Sequence, residues 1–257
     1  MSMKGLLLKD YYCMKSNLFS FLCLTIGVII LGIMFAFSIQ HGNLADVAKS
    51  LIEKEGMSEE DVFNLFRVAV WLILLIPMAY VGNVVDCFKA DMSASFGKQL
   101  FSMPIKASHT VAARYLVCLL YAGISFVGSL IAALFIAGAA KQYPLSELLS
   151  LCATFGAILV AYLSIVMMLL YQCGTQHVDL IQGAPVIATL IAGIVYVVIK
   201  MENSVDEEAL LANIWESIRG FFTQYTGVVC GIALVVLLVC FSASVKIVEK
   251  RRVKAIC

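Results

Sequence analysis

Long apolar blocks separated by short polar segments run along the whole chain. Six of these blocks reach the length of about 20 residues that an α-helix needs to cross a bilayer. They cover residues 18–40, 64–85, 115–139, 150–172, 180–199 and 225–247. The fifth is the least regular, because Asp179, Gln182 and Pro185 crowd its start. The pattern predicts an all-α, polytopic membrane protein with six transmembrane helices, forming a single transmembrane domain over residues 1–257.

Three shorter segments mix apolar and polar residues at helical spacing. In residues 1–17, apolar Leu, Tyr and Met side chains alternate with lysines, which predicts a basic amphipathic helix on the inner leaflet. Loops 41–63 and 200–224 are also typical of short amphipathic helices, and Ser58 is the predicted N-cap that leads into the second span. We expect both loop helices at the outer surface, where a structural cap is the simpler interpretation and a lid or partner surface is the alternative.

The segment DMSASFGKQLFSMP lies in loop 86–114, between the second and third predicted spans. Four apolar residues recur there at helical spacing and form one stripe: Met92, Phe96, Leu100 and Met103. Pro104 ends the run, because proline cannot continue a helix. The spacing predicts one amphipathic helix on the membrane surface, whose polar face is open to a soluble partner. A lipid anchor without a partner is the alternative.

The distribution of positive charge orients the chain. Twelve of the 18 Lys and Arg residues lie within 1–17, 86–114 and 246–257. Loop 41–63 instead carries six acidic residues against two lysines. The positive-inside rule therefore predicts that the N-terminus, the C-terminus and loop 86–114 face the cytoplasm.

The composition argues against a soluble globular domain, a cleaved signal peptide and a disulfide framework. Hydrophobic residues make up 62% and charged residues 14% of the chain, against about half and about a quarter in soluble domains. The first apolar block is too long for a signal-peptide core, so we expect no cleavable signal peptide. The nine cysteines show no C-x-x-C spacing and are expected to be free thiols.

No motif supports catalysis. The chain lacks G-x-x-x-x-G-K-[ST] and H-E-x-x-H, and Cys173, His177 and Asp179 lie too close in one loop to form a nucleophile triad. Ionisable residues are scarce within the spans, and we expect Arg67 and Lys246 to extend to the nearby interface. We therefore expect a protein that is not an enzyme, binds no cofactor or metal itself, has no nucleic acid partner and does not harvest an ion gradient alone.

The third predicted span carries a packing signal. Four small residues recur every four positions: Ser125, Ser129, Ala133 and Ala137. Small residues at this spacing let helices approach closely in lipid. Packing within one chain is the simpler interpretation, and a subunit interface is the alternative.

These features resemble the permease subunit of a type 2 ATP-binding-cassette (ABC) exporter. That family combines a basic amphipathic start, here MKGLLLKDYY, with six spans and a coupling helix in the loop between spans two and three. The segment here is ADMSASFGKQLFSMPIKASHTVAARYL, with Gly97, Leu100, an MPI turn and then RYL, whose Arg114 directly precedes the third span. Ser93 and Ser95 occupy positions where many members carry acidic residues, so the charge of the predicted docking surface differs from the family pattern. The start MKGLLLKD also resembles small permeases from Gram-positive bacteria.

The resemblance implies a division of labour. A separate ABC ATPase subunit would bind ATP and Mg and dock under the coupling helix, and a second permease chain, identical or different, would complete the pathway. The coupling residues it implies are Met92, Phe96, Lys98, Leu100, Phe101 and Met103. The cargo would be amphipathic or lipophilic, an antimicrobial or toxic peptide being one candidate, and the location a bacterial plasma membrane. A non-transporting scaffold, sensor or assembly factor is the alternative from another class.

Overall fold

The computed structural model describes residues 3–55, 58–85, 106–139, 143–174, 177–184 and 219–256, with isolated positions between 187 and 199. This part of the chain is helical and contains no strand. The helices are α1 (Met3–Gln40), α2 (Asn43–Glu55), α3 (Glu59–Tyr80), α4 (Ala107–Ala139), α5 (Leu145–Cys173) and α6 (Thr226–Ile256), with a 3-10 helix at Val81–Val85. The all-α prediction is confirmed.

Among the described residues, five helices are long and apolar enough to cross a membrane. The spanning segments are Asn17–Gln40, Val62–Tyr80, Ala107–Ala139, Leu145–Cys173 and Thr226–Arg251. They match five of the six predicted spans. The predicted span 180–199 lies mostly outside the described residues, as does most of loop 200–224. The count of six and the cytoplasmic position of both termini stay predictions.

Helix α1 differs from the expected arrangement of an interfacial helix followed by a span. It runs for 38 residues without interruption, so residues 3–17 and the first span form one continuous helix. No proline stands between Lys15 and Leu18, where a turn would be needed. Leu6 and Met14 are buried within the protein, whereas Leu8, Tyr11 and Tyr12 are exposed, so a contact of this segment with the lipid surface stays a prediction.

Helix boundaries follow local stereochemistry more closely than hydropathy. α4 begins at Ala107 rather than at 115, because the amides of His109 and Thr110 already bond to the carbonyl of Lys106. α3 ends at Tyr80 rather than at 85, three residues after Pro77, which lies inside the helix and removes one backbone hydrogen bond of the turn before it. The chain then tightens into the 3-10 helix.

Two glycines make the turns that end helices. Gly42, between α1 and α2, has a φ of 79°, and Gly174, directly after α5, has a φ of 81°. Both angles lie in the left-handed region that glycine adopts without steric cost. The Gly174 amide also bonds to the carbonyl of Leu170, which caps α5.

The chain divides into two compact units. The first comprises the described residues within Met1–Met14, Gly82–Leu119 and Ala157–Cys257, and the second those within Lys15–Val81 and Leu120–Gly156. Helices α1, α4 and α5 contribute residues to both units.

In the second unit, α4 packs closely against α1. A Cβ atom added to Gly32 of α1 would lie 2.9 Å from Ala132 Cβ and 3.2 Å from Ala132 Cα. Gly128 faces Thr25 in the same way. Such close approach is how membrane helices gain dispersion energy, since apolar lipid offers no hydrophobic drive between them.

The contact at Gly32 generates a stability prediction. Gly32→Leu should lower the unfolding free energy by about 1–3 kcal/mol, the usual cost of overpacking, because Ala132 cannot move away without its backbone. Gly27→Leu on the same helix is the matched control, since nothing lies within 4 Å of a Cβ at Gly27. Thermal unfolding in detergent measures both. Equal melting temperatures for the two variants would contradict the close packing of α1 on α4.

Candidate functional site

The predicted coupling residues Met92, Phe96, Lys98, Leu100, Phe101 and Met103 lie outside the described residues. Their role stays a prediction. The structure describes the chain on both sides of them, up to Val85 and again from Lys106, and both sides belong to the first unit. Two described segments hold the ends of the loop: residues 82–85 before it and residues 106–118 after it. Together they are called the frame.

The entry to the loop is well packed. Val84 and Val85 are buried, with 1% and 0% of their surface exposed. The Gln182 side chain donates a hydrogen bond of 3.1 Å from Nε2 to the carbonyl of Gly82. The Tyr162 hydroxyl in turn donates to the carbonyl of Gln182 at 2.8 Å. The last residues before the loop are thus tied to α5 and to the helical segment 177–184.

The exit from the loop leads directly into buried helix. Lys106 is exposed, but most side chains over the next three turns of α4 are buried: Ala107, Thr110, Val111, Ala113, Arg114, Tyr115 and Cys118. A displacement of Lys106 is therefore a displacement of α4 itself, because the helix begins at the next residue. The last residues of the predicted loop 86–114 therefore belong to this helix.

A buried ion pair joins α1 to the start of α4. Arg114 Nε lies 3.6 Å from Asp10 Oδ2, and the two side chains are only 6% and 3% exposed. Lys9 Nζ lies 2.9 Å from the other carboxylate oxygen of Asp10. Burial, followed by the nearby Arg114 charge, lowers the pKa of Lys9 below its usual value. The Asp10 carboxylate thus faces two cations. Their charges, together with the 2.9 Å contact to Lys9, offset the free-energy cost of burying it.

Sequence reasoning missed this pair, although a signal was present. Asp10 lies midway between Leu6 and Met14, four residues from each, so it sits on the buried stripe of α1 rather than on the polar face. An acid on an apolar stripe requires a partner, because an isolated buried charge is too costly. The identity of that partner depends on tertiary packing and is not encoded locally.

Tyr115 connects α4 to two further helices. Its hydroxyl donates to the carbonyl of Ser164 on α5 at 3.2 Å and lies 3.1 Å from Ser244 Oγ on α6. Its ring meets that of Phe241 edge-on at 5.5 Å. At the C-terminal end of α5, Arg251 of α6 donates a hydrogen bond of 2.7 Å to the carbonyl of Gln172. In the first unit, hydrogen bonds as well as packing therefore connect α4, α5 and α6.

The small residues predicted as a packing or dimer face occupy the second unit. Ser125, Ser129 and Ala133 are fully buried, and Ala137 is half-buried. The Ser129 hydroxyl donates to the carbonyl of Leu74 on α3 at 2.7 Å. Their contacts are with helices of the same chain, and a role of this face in a dimer stays a prediction.

Arg67 does not extend to the interface as expected. It is 7% exposed, and its Nε lies 3.5 Å from Glu147 Oε1 near the start of α5. Its guanidinium carbon lies 4.5 Å above the Phe63 ring. Because α5 begins at Leu145 rather than at 150, Glu147 is helical and within reach. The Arg67 side chain is therefore paired with the buried Glu147 and does not extend to the membrane interface.

The described residues contain no group of three or more His, Cys, Asp or Glu side chains that could hold a metal ion. The cysteines in this part of the chain are free thiols: Cys13, Cys23, Cys118, Cys152, Cys173, Cys230 and Cys240.

Apolar spanning helices joined by a few buried polar contacts define a multi-pass membrane protein. The sequence model described as "ABC-2 family transporter protein" matches residues 61–249, well over half of the chain, so the chain belongs to this family. Its members are membrane components of transporters rather than catalysts, and they work with an ABC ATPase subunit. No curated protein and no solved structure matches the chain. The resemblance to small Gram-positive members stays a prediction.

The Asp10–Arg114 contact generates a coupling prediction. Asp10→Leu should destabilise the protein strongly, because it leaves Arg114 buried without the Asp10 carboxylate. Arg114→Met should cost less, because Lys9 still faces Asp10 at 2.9 Å. The double variant should be more stable than additivity allows, with a coupling free energy on the order of 1–3 kcal/mol. Thermal unfolding of all four proteins measures it. Lys15→Met, which removes an exposed lysine of α1, is the control, and additive single effects would argue against the pair.

The Tyr115 hydroxyl generates a second prediction for this site. Tyr115→Phe should cost about 0.5–1.5 kcal/mol of unfolding free energy, since it removes only the hydrogen bonds. Tyr121 of the same helix stacks on Phe21 at 5.1 Å, and its buried hydroxyl has no hydrogen-bond partner among the described residues. Tyr121→Phe should therefore be neutral or stabilising. The reverse order of the two melting temperatures would disprove the assigned bonds.

Proposed function

We propose that this chain is the permease subunit of an ATP-driven exporter. A separate ABC ATPase subunit binds ATP and Mg and docks on loop 86–114, and its closing and opening tilts the spans. The chain moves an amphipathic or lipophilic substrate outward, an antimicrobial or toxic peptide being one candidate. A second permease chain, identical or different, completes the path across a bacterial plasma membrane.

The observation that carries this proposal is the frame around the loop. Both ends of the loop belong to one compact unit, with the entry buried at Val85 and the exit continuing directly into α4. A loop anchored in this way transmits force to spans, whereas a flexible tether absorbs it. Family membership supplies the source of the force, because ABC-2 transporter proteins work with an ATPase.

The polar contacts of the frame support a route for the movement. Arg114 and Tyr115 occupy adjacent positions on α4. The first pairs with Asp10 of α1, and the second bonds to α5 and α6. A shift of α4 at the loop exit therefore acts on three other helices through contacts of known geometry. These contacts hold the helices at fixed spacing, so the expected motion is a joint tilt rather than an independent slide.

The substrate class follows from the character of the spans. Charged residues within the described spans lie near the ends of the helices, and the exposed surfaces are largely apolar. Such surfaces suit a cargo with an apolar body better than an ion or a sugar. Outward transport is what the resemblance to exporters implies.

The experiment is co-purification with the ATPase. Phe96→Asp with Leu100→Asp should leave the protein inserted and folded but abolish recovery of an ATPase from the native host, because two charges on the apolar stripe undock the predicted coupling helix. Phe96→Leu with Leu100→Met keeps the stripe apolar and should retain the ATPase. Size-exclusion profiles and melting temperatures establish that all variants are folded.

The recovered complex also separates the two candidate classes. An exporter should show ATPase activity that rises when an amphipathic peptide or lipid is added to the complex in nanodiscs. A scaffold, sensor or assembly factor would yield no ATPase or no cargo-dependent turnover. Retention of the ATPase by the double-aspartate variant would move the docking site away from loop 86–114.

A further inference from the structure

A cavity of about 430 Å³ lies beside α2, within the second unit. α2 contributes apolar side chains, including Leu44, Ala48 and Ile52, and α3 contributes Phe63 and other apolar residues of its first turns. The cavity is open to the surface, where its lining residues Ala45, Lys49 and Glu59 are exposed. Its volume falls within the range of about 300–1,000 Å³ that small-molecule sites occupy. Its size and lining therefore suit an apolar guest.

One wall of the cavity is preformed. Tyr143 stacks on Phe63 at 5.8 Å and meets Phe35 of α1 edge-on at 6.5 Å. Arg67 covers Phe63 and is itself fixed by Glu147. Because these rings are held by partners on α1 and α5, the wall keeps its shape without a ligand. Preorganisation of this kind lowers the entropy cost of binding.

The position of the cavity points to the membrane as the source of its guest. Ile39, at the end of the spanning segment of α1, and Val62, at the start of the spanning segment of α3, both line it. The cavity therefore lies where two spans end, at the depth where the acyl chains of one leaflet meet their headgroups. By the distribution of positive charge, this is the outer leaflet.

The charges at the cavity define the headgroup. Lys49 of α2 and Glu59 of α3 are its charged lining residues among those described, and both are exposed. One cation and one anion favour a ligand that carries both signs. A purely anionic head would meet Glu59, and a purely cationic head would meet Lys49, as like charges. An ammonium group that can donate hydrogen bonds suits the carboxylate best.

We propose that this cavity binds one acyl chain of an ethanolamine-type glycerophospholipid from the outer leaflet. The chain lies against the apolar lining, the phosphate faces Lys49 and the ammonium faces Glu59. α2 thereby acts as a lipid-binding cover rather than only a structural cap. This site is independent of ATPase docking and does not rest on the proposed function.

The test is lipid binding by the purified full chain in maltoside micelles, followed by native mass spectrometry and thermal shift. The probe is palmitoyl lysophosphatidylethanolamine. Ala48→Trp fills the cavity and should weaken binding about tenfold, whereas Val47→Trp, an exposed neighbour that does not line it, should change binding by less than about twofold. Ala45→Leu, a smaller filling of the same cavity, should weaken binding about threefold and replaces Ala48→Trp should that variant misfold.

The headgroup is tested separately. The wild type should prefer the probe over monopalmitoylglycerol and palmitoyl lysophosphatidylglycerol by about tenfold. Lys49→Gln with Glu59→Gln should remove this preference, and Lys54→Gln on the same helix should keep it, since Lys54 does not line the cavity. Equal binding of the three lipids by the wild type would overturn the headgroup assignment. Unchanged binding by Ala48→Trp would overturn the site, and saturable binding of an amphipathic peptide without lipid binding would replace the lipid with a peptide ligand.

Discussion

Close packing of α4 against its neighbours is the constraint on which both described units depend. Lipid tails are as apolar as the helix surfaces, so association in a membrane requires close approach and satisfied polar groups. In the second unit, Gly32 of α1 approaches Ala132, and Ser129 bonds to the backbone of α3. In the first unit, Arg114 and Tyr115 supply polar links to α1, α5 and α6. One helix thus uses small residues in one unit and polar residues in the other.

The sequence predicted the spans well because their signal is local and strong. About 20 consecutive apolar residues have few alternatives to a membrane helix, and five of the predicted blocks recur as helices. Helix ends were predicted less well. Backbone hydrogen bonding extends α4 back to Ala107, beyond the apolar block. α3 ends at Tyr80, three residues after Pro77, while the sequence is still apolar.

The polar contacts were beyond sequence reasoning for a different physical reason. Asp10 and Arg114 are over a hundred positions apart, and nothing in either neighbourhood specifies the other. The same holds for Arg67 and Glu147, where the predicted start of the fourth span left the acid in a loop. Spacing shows that a charge lies on an apolar face, but only the packed helices show which opposite charge it meets. The predicted coupling residues, by contrast, rest on local periodicity and family resemblance, and the frame around them is what the structure adds.

The position of the buried charges argues for a structural role. Arg67 lies within two turns of the start of its spanning segment, and Asp10 precedes the first spanning segment. Near the ends of helices the cost of desolvation is smaller than at the centre of the bilayer, and a paired charge is tolerated there. Ion relays place carboxylates along the depth of the membrane, whereas each pair here joins two helices at one level. These charges therefore fix the spacing of the helices that they join.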